Sequence, residues 1–170
     1  MTRSQRIVAM GATSGVATML LSMAMLYRLL PHAAPHAGLA DRLAYAAVAN
    51  AFASLPLLAA IGAVGNARAM SEAIDPTLGK ESAALIVTGR VADNTLQQFA
   101  LFATATLALS VNLKPAQLHV IAAAAIVFVV ARLAFWIGYR LDPLYRAFGF
   151  AATFYLNLGL LGAALWLAIR

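Results

Sequence analysis

Arg90, Asn94 and Gln97 stand at i, i+4 and i+7 in the stretch Gly89-Arg90-Val91-Ala92-Asp93-Asn94-Thr95-Leu96-Gln97-Gln98-Phe99, which runs straight into the apolar Ala100–Val111. No proline or glycine falls between Val91 and Val111, so one helix can carry all three on one face, with Asp93 beside them. A cation, two amides and a carboxylate are costly toward lipid, so the stripe is expected to turn into the protein as a ligand site. Further along, Arg132 shares a helix face with Trp136 and Tyr139, and Arg146 falls in the first turn after Asp142-Pro143. An arginine at that place sits beside the positive end of a helix, unfavourably unless an anion or acceptor approaches.

The chemistry open to such a set is narrow. The sequence offers no metal cluster, Ser-His-Asp arrangement, phosphate loop or pair of carboxylates on one face. Several guanidiniums with amides suit a small peptide or another carboxylate-bearing ligand, because arginine engages carboxylates bidentately. A fixed cation such as Arg146 would also stabilise a ligand thiolate, creating a nucleophile without a protein base. Plainer roles exist for each residue. Arg90 and Asp93 could form an i,i+3 ion pair, and Asn94 and Gln97 could join helices by hydrogen bonds. Arg132, Arg140 and Arg146 could snorkel to the interface beside Trp136, Tyr139 and Tyr145. Convergence of polar groups from several helices favours a site.

The elements that must position these residues are membrane helices. Of 170 residues, 63% are hydrophobic and 11% charged, too few to cover a soluble core. Apolar runs close to helix-spanning length predict an all-α integral membrane bundle with segments at Ile7–Leu30, Ala44–Asn66, Ala83–Val111, Ala116–Arg140 and Tyr145–Ile169. The first could pass for a signal peptide, with a cleavage site in the Ala-rich Pro31–Ala37, but it is longer than a usual signal core. Pro31, Pro35 and Gly38 mark one turn and Asp75-Pro76-Thr77-Leu78-Gly79 another. Short connections at Asn112–Pro115 and Arg140–Pro143 make the last three helices antiparallel neighbours.

The formal net charge is +6, but the twelve Lys and Arg are scattered singly and form no nucleic-acid footprint. If all five helices span, Arg3, Arg6, Arg68, Lys80, Arg90, Arg140 and Arg146 fall on one side and Arg28, Arg42, Lys114 and Arg170 on the other. The first side, with the amino terminus and the arginine site, is expected to face the cytoplasm of an inner or cytoplasmic membrane. Without cysteine there is no disulfide or thiolate metal site, and His32, His36 and His119 lack metal-ligand companions.

Arg90-x-x-x-Asn94-x-x-Gln97 followed by Phe99, then Arg132-x-x-Phe135-x-x-x-Tyr139, then Arg146 resembles the MAPEG family, membrane-associated proteins in eicosanoid and glutathione metabolism. Gly65-Asn66-Ala67-Arg68 is similar to that family's Gly-x-x-Arg, and the resemblance runs from about Leu57 to the carboxyl terminus. It implies a four-helix core at residues 44–170, preceded by an extra membrane helix and connection at 1–43. It also implies a homotrimer, glutathione as cosubstrate, and a lipophilic small molecule entering from the membrane lipids. By that resemblance Arg68, Arg90, Asn94, Gln97, Arg132 and Tyr139 would hold glutathione, and Arg146 would activate its thiol.

Gln97 stands where the family's enzymes usually have glutamate, and Phe135 where they have histidine or tyrosine. The expectation is a glutathione transferase or peroxidase acting on lipophilic electrophiles or lipid peroxides. The alternative is a non-enzymatic lipid-binding scaffold of the same architecture, toward which Gln97 and Phe135 point. A transporter or channel fits less well, because the charges gather at one end.

Overall fold

The computed structural model describes residues 1–31 and 38–170. The expected first turn, with His32, His36 and the candidate cleavage site, falls largely outside the described residues. The long helices are α1 (Arg3–Leu29), α2 (Leu39–Ala53), α3 (Leu55–Ala69), α4 (Ala83–Asn112), α5 (His119–Leu141) and α6 (Arg146–Ile169). Helix α1 begins four residues before the apolar run because Thr2 caps it: its hydroxyl accepts the Gln5 N–H at 3.2 Å, and the Gln5 amide oxygen accepts the Thr2 N–H at 2.8 Å.

The segment expected as one helix at Ala44–Asn66 is two. Helices α2 and α3 meet at Ser54, with Pro56 in the first turn of α3, where its missing N–H costs least. Together Leu39–Ala69 remain long and apolar enough to cross a membrane, as do Arg3–Leu29, Pro115–Leu141 and Arg146–Ile169. Those are the four candidate spans among the described residues, against five expected. Helix α4 is the longest at 30 residues, but its first sixteen residues carry Arg90, Asp93, Asn94, Gln97 and Gln98, which lower its mean hydropathy.

Successive spanning segments alternate in direction along the chain. Helix α4 runs antiparallel to α2 and α3: Thr106 Oγ1 donates to Asn50 Oδ1 at 3.0 Å, and Arg42 donates to the carbonyls of Ser110, at 2.7 Å, and Val111. Those carbonyls end α4 without helical partners, so Arg42 caps them. Phe128 of α5 packs on Phe102 of α4 with ring centroids 4.7 Å apart, inside a core of Leu118, Ile121, Ala124, Leu156 and Leu160. Deeper polar groups join the helices in pairs: the Asn157 side-chain amide of α6 donates to both the carbonyl and side-chain oxygens of Gln98 at 2.9 Å. In a membrane each such bond contributes about 0.6 kcal/mol on average.

Helices α5 and α6 touch through their backbones. A Cβ on Gly149 would lie 2.4 Å from the Phe135 nitrogen and 2.5 Å from the Ala131 carbonyl oxygen. A Cβ on Gly159 or Gly162 would meet nothing within 4 Å, so both lie open on α6. Between α3 and α4, two 3-10 turns at Glu72–Ile74 and Pro76–Leu78 are closed by Gly79 at φ +64°, a left-handed conformation suited to glycine. In that loop the Thr77 backbone N–H and hydroxyl bind Asp75, holding its carboxyl below its ordinary pKa.

Candidate functional site

A cavity of about 480 Å³ opens at the end of the bundle where α1, α4 and α6 begin and α5 finishes. Its polar half is Arg90, Asn94, Tyr139 and Arg146, and its apolar half is Val8, Phe135, Pro143, Leu144, Ala147 and Phe150. The volume falls within the range of about 300–1,000 Å³ typical of small-ligand sites.

The turn between α5 and α6 brings Tyr139 and Arg146 together. Asp142 Oδ1 accepts the Leu144 N–H at 2.7 Å and tightens the turn. Gly138 lets it close, since a Cβ there would come within 2.8 Å of the Tyr145 carbonyl oxygen. Arg146 Nη1 then donates to the Tyr139 hydroxyl at 2.9 Å, with the guanidinium carbon 4.9 Å from the ring centroid. Arg90 interacts with the same hydroxyl from α4. Two guanidiniums therefore flank one phenol. No carboxylate lines this cavity, and among the described residues the ion pairs are Arg68–Glu81 at 2.6 Å and Lys80–Glu72 at 3.0 Å. The arrangement leaves an excess of positive charge open to an anionic ligand. Asn94 Oδ1 is buried there without a hydrogen-bond partner, an acceptor suited to a ligand N–H.

Arg90, Asn94, Tyr139 and Arg146 thus come together as expected, whereas Arg68, Gln97 and Arg132 do not line this cavity. Arg68 pairs with Glu81 and shares with Arg90 and Asp93 a smaller cavity of about 230 Å³, so Arg90 stands between the two. The expectation that the whole Arg90–Asn94–Gln97 stripe turns inward is corrected: Arg90, Asp93 and Gln97 are exposed and Asn94 is half-buried. The inward face of α4 instead carries Thr88, Val91, Thr95, Gln98, Phe102 and Leu109, about a quarter turn away.

Arg132 lies behind the cavity wall. It is 1% exposed, donates to Thr95 Oγ1 at 2.9 and 3.2 Å and to Thr153 Oγ1 at 3.2 Å, and stacks over the Phe135 ring at 4.0 Å. Phe135 in turn meets Tyr139 edge to face, with centroids 5.8 Å apart. Arg132 makes no ion pair among the described residues, so hydrogen bonds and the ring alone offset its desolvation. Arg132→Met should accordingly keep or raise the thermal midpoint in detergent, while Arg132→Ala, which leaves a void, should lower stability by about 3 kcal/mol. Equal losses in both variants would contradict this balance.

Thr95, Thr153 and the lining residues Val8, Leu144 and Phe150 escaped the sequence reading. The threonines sit 37 and 21 residues from Arg132 and make no spacing pattern with it. Gly11-x-x-x-Gly15 in α1 was a readable signal for close helix packing.

A helical bundle with several candidate spans defines an integral, multi-pass membrane protein, and a basic, half-apolar cavity opens at one end of it. The model of the MAPEG family matches residues 43–166, and the chain belongs to that family. Comparisons with curated proteins and with solved structures gave no match. The family match covers α2 to α6, and α1 precedes it.

Proposed function

We infer that the protein is a membrane-bound, glutathione-dependent transferase or peroxidase acting on lipophilic electrophiles or lipid peroxides. The observation that carries this reading is the Arg90–Tyr139–Arg146 cluster in a cavity free of carboxylates. Family membership supports glutathione-related chemistry at the level of the family. Glutathione supplies the thiol: conjugation forms one S–C bond and expels a leaving group, whereas peroxide reduction consumes two thiols and yields a disulfide, an alcohol and water.

In this reading Arg146 holds the negative charge on sulfur, and the thiol proton leaves to solvent. Tyr139 accepts from Arg146 and keeps its own O–H free to donate into the cavity. Arg90 and Arg68 take the peptide carboxylates, and Asn94 Oδ1 accepts a peptide N–H. Arg132 acts from behind Phe135 as buried positive charge. Val8, Leu144, Ala147 and Phe150 receive the lipophilic partner.

A homotrimer is part of the proposal. Asp93 and Gln97 lie exposed on α4 at the flank of the cavity, where a neighbouring subunit would cover them and bring Gln97 to the ligand. Residues 44–170 form the family core in this account. The cation-rich end faces the cytoplasm of the cytoplasmic membrane, because Arg3, Arg6, Arg68, Lys80, Arg90, Arg140 and Arg146 gather there.

The test is thiol transfer to a haloarene or hydroperoxide by the purified protein and by Arg146→Ala. An unchanged rate in the variant would remove the proposed role of Arg146. Two observations favour a second reading, a lipid-binding scaffold without chemistry: Phe135 adds an apolar ring to the cavity wall, and Gln97 supplies no countercharge for an amino group. Saturable lipid binding without thiol transfer would select it.

A further inference from the structure

We propose that α1 is a working wall of the site and that Val8 sets how long and bulky an apolar group the cavity admits. This rests on the glutathione reading above and adds the selectivity of its lipophilic side. Val8 lines the cavity together with the apolar Leu144, Ala147 and Phe150. Helix α1 reaches that place through an unusually close contact. Gly11 and Gly15 lie one turn apart on one face, and Val8 lies one turn before Gly11.

A Cβ on Gly15 would sit 2.2 Å from the Phe148 carbonyl oxygen, and one on Gly11 would sit 3.3 Å from the Ala147 Cβ. The backbone of α1 is therefore pressed against the first turn of α6, immediately after Arg146. Gly15 and Met19 are the buried residues of α1, so a narrow seam fixes its position. Being fixed at residues 147 and 148, the wall cannot shift without disturbing the turn that carries Arg146. Helix α1 also lies outside the segment that matches the family, so this wall is a feature of the present chain.

The chemistry divides accordingly. Peptide carboxylates are drawn to Arg90 and the sulfur to Arg146, which leaves the substituent on sulfur toward Val8, Ala147 and Phe150. Each methylene that enters this apolar half gains affinity by leaving water, until Val8 stops it. Val8 is a specificity-determining residue in this account, without a part in the chemical step.

The experiment is calorimetric binding of glutathione, S-methylglutathione, S-hexylglutathione and S-decylglutathione to the full chain in detergent, for wild type, Val8→Trp and Val8→Ala. The affinity of each S-alkyl compound is read relative to that of glutathione in the same protein. S-hexylglutathione should bind wild type at least about tenfold more tightly than S-methylglutathione. Val8→Trp should erase that gain, and Val8→Ala should extend it to the S-decyl compound. Equal alkyl-chain profiles in the three proteins, with glutathione binding intact, would overturn the role of Val8 and leave the glutathione reading standing. Failure of glutathione to bind wild type would overturn that reading, and this inference with it. Should Val8→Trp not fold, the decyl-to-hexyl ratio of Val8→Ala decides alone, and an unchanged ratio overturns the proposal.

Discussion

Replacing Arg146 with alanine should lower the glutathione transfer rate at neutral pH by about one to two orders of magnitude while leaving the protein folded. A free thiol with a pKa of about 8.5 is only a few per cent ionised at pH 7, so a cation that lowers it by about two units converts most of it to thiolate. The pH dependence follows with a definite sign. Activity requires the thiolate, so it falls as pH drops through the pKa of the bound thiol. Removing the cation raises that pKa and moves the acidic limb toward higher pH, and the wild-type advantage shrinks above about pH 8.5.

The fold should tolerate the change. Arg146 is exposed, its hydrogen-bond partner is Tyr139, and a cation in the first turn of α6 opposes the helix dipole. Arg146→Lys keeps the charge and should retain the wild-type limb at a lower rate, since lysine cannot reproduce the planar guanidinium over the Tyr139 ring. A rate ratio independent of pH would contradict thiolate stabilisation, whatever its size.

Gly149→Val should produce a large loss of stability, about 3 kcal/mol or more. Its new Cβ would collide with backbone, lying 2.4 Å from the Phe135 nitrogen and 2.6 Å from the Phe135 Cα. Backbone cannot rotate away as a side chain can, so α6 must lift from α5. Lifting it also parts Thr153 from Arg132, because Thr153 Oγ1 donates to the Gly149 carbonyl at 2.9 Å while accepting from the buried guanidinium. Gly62→Ala is the control, since a Cβ there meets nothing within 4 Å. Thermal unfolding in detergent should show a large drop for Gly149→Val and little change for Gly62→Ala. Similar midpoints would mean that the α5–α6 contact is looser than described.

Much of the bundle was legible in the sequence because membrane helices announce themselves locally, by length and hydropathy. The meeting of Arg90, Tyr139 and Arg146 was legible too, since alternating helix directions place their ends together once the segments are known. The break at Ser54 was missed because apolar residues continue through Pro56, and the pattern alone does not locate a junction. The inward face of α4 was misread for a related reason. Arg90, Asn94 and Gln97 make the more conspicuous polar stripe, but Thr95 and Gln98, on the adjoining apolar stripe, are among the polar side chains the core takes in. Their buried partners, Arg132 and Asn157, come from other helices, so tertiary packing decides the face. Gly11 and Gly15 announced close packing without indicating that α6 was the partner.

The central claim, a glutathione site built on the arginine cavity, is tested most directly by calorimetric titration of glutathione into the detergent-purified protein and into Arg90→Ala. Arg90 is exposed and lines both the arginine cavity and the smaller one it shares with Arg68, Glu81 and Asp93, so its loss should weaken binding by at least about tenfold without unfolding the chain. Saturable binding to the wild type, weakened in the variant, is the predicted result. Absence of binding at millimolar glutathione, or equal affinity in the two proteins, would contradict it.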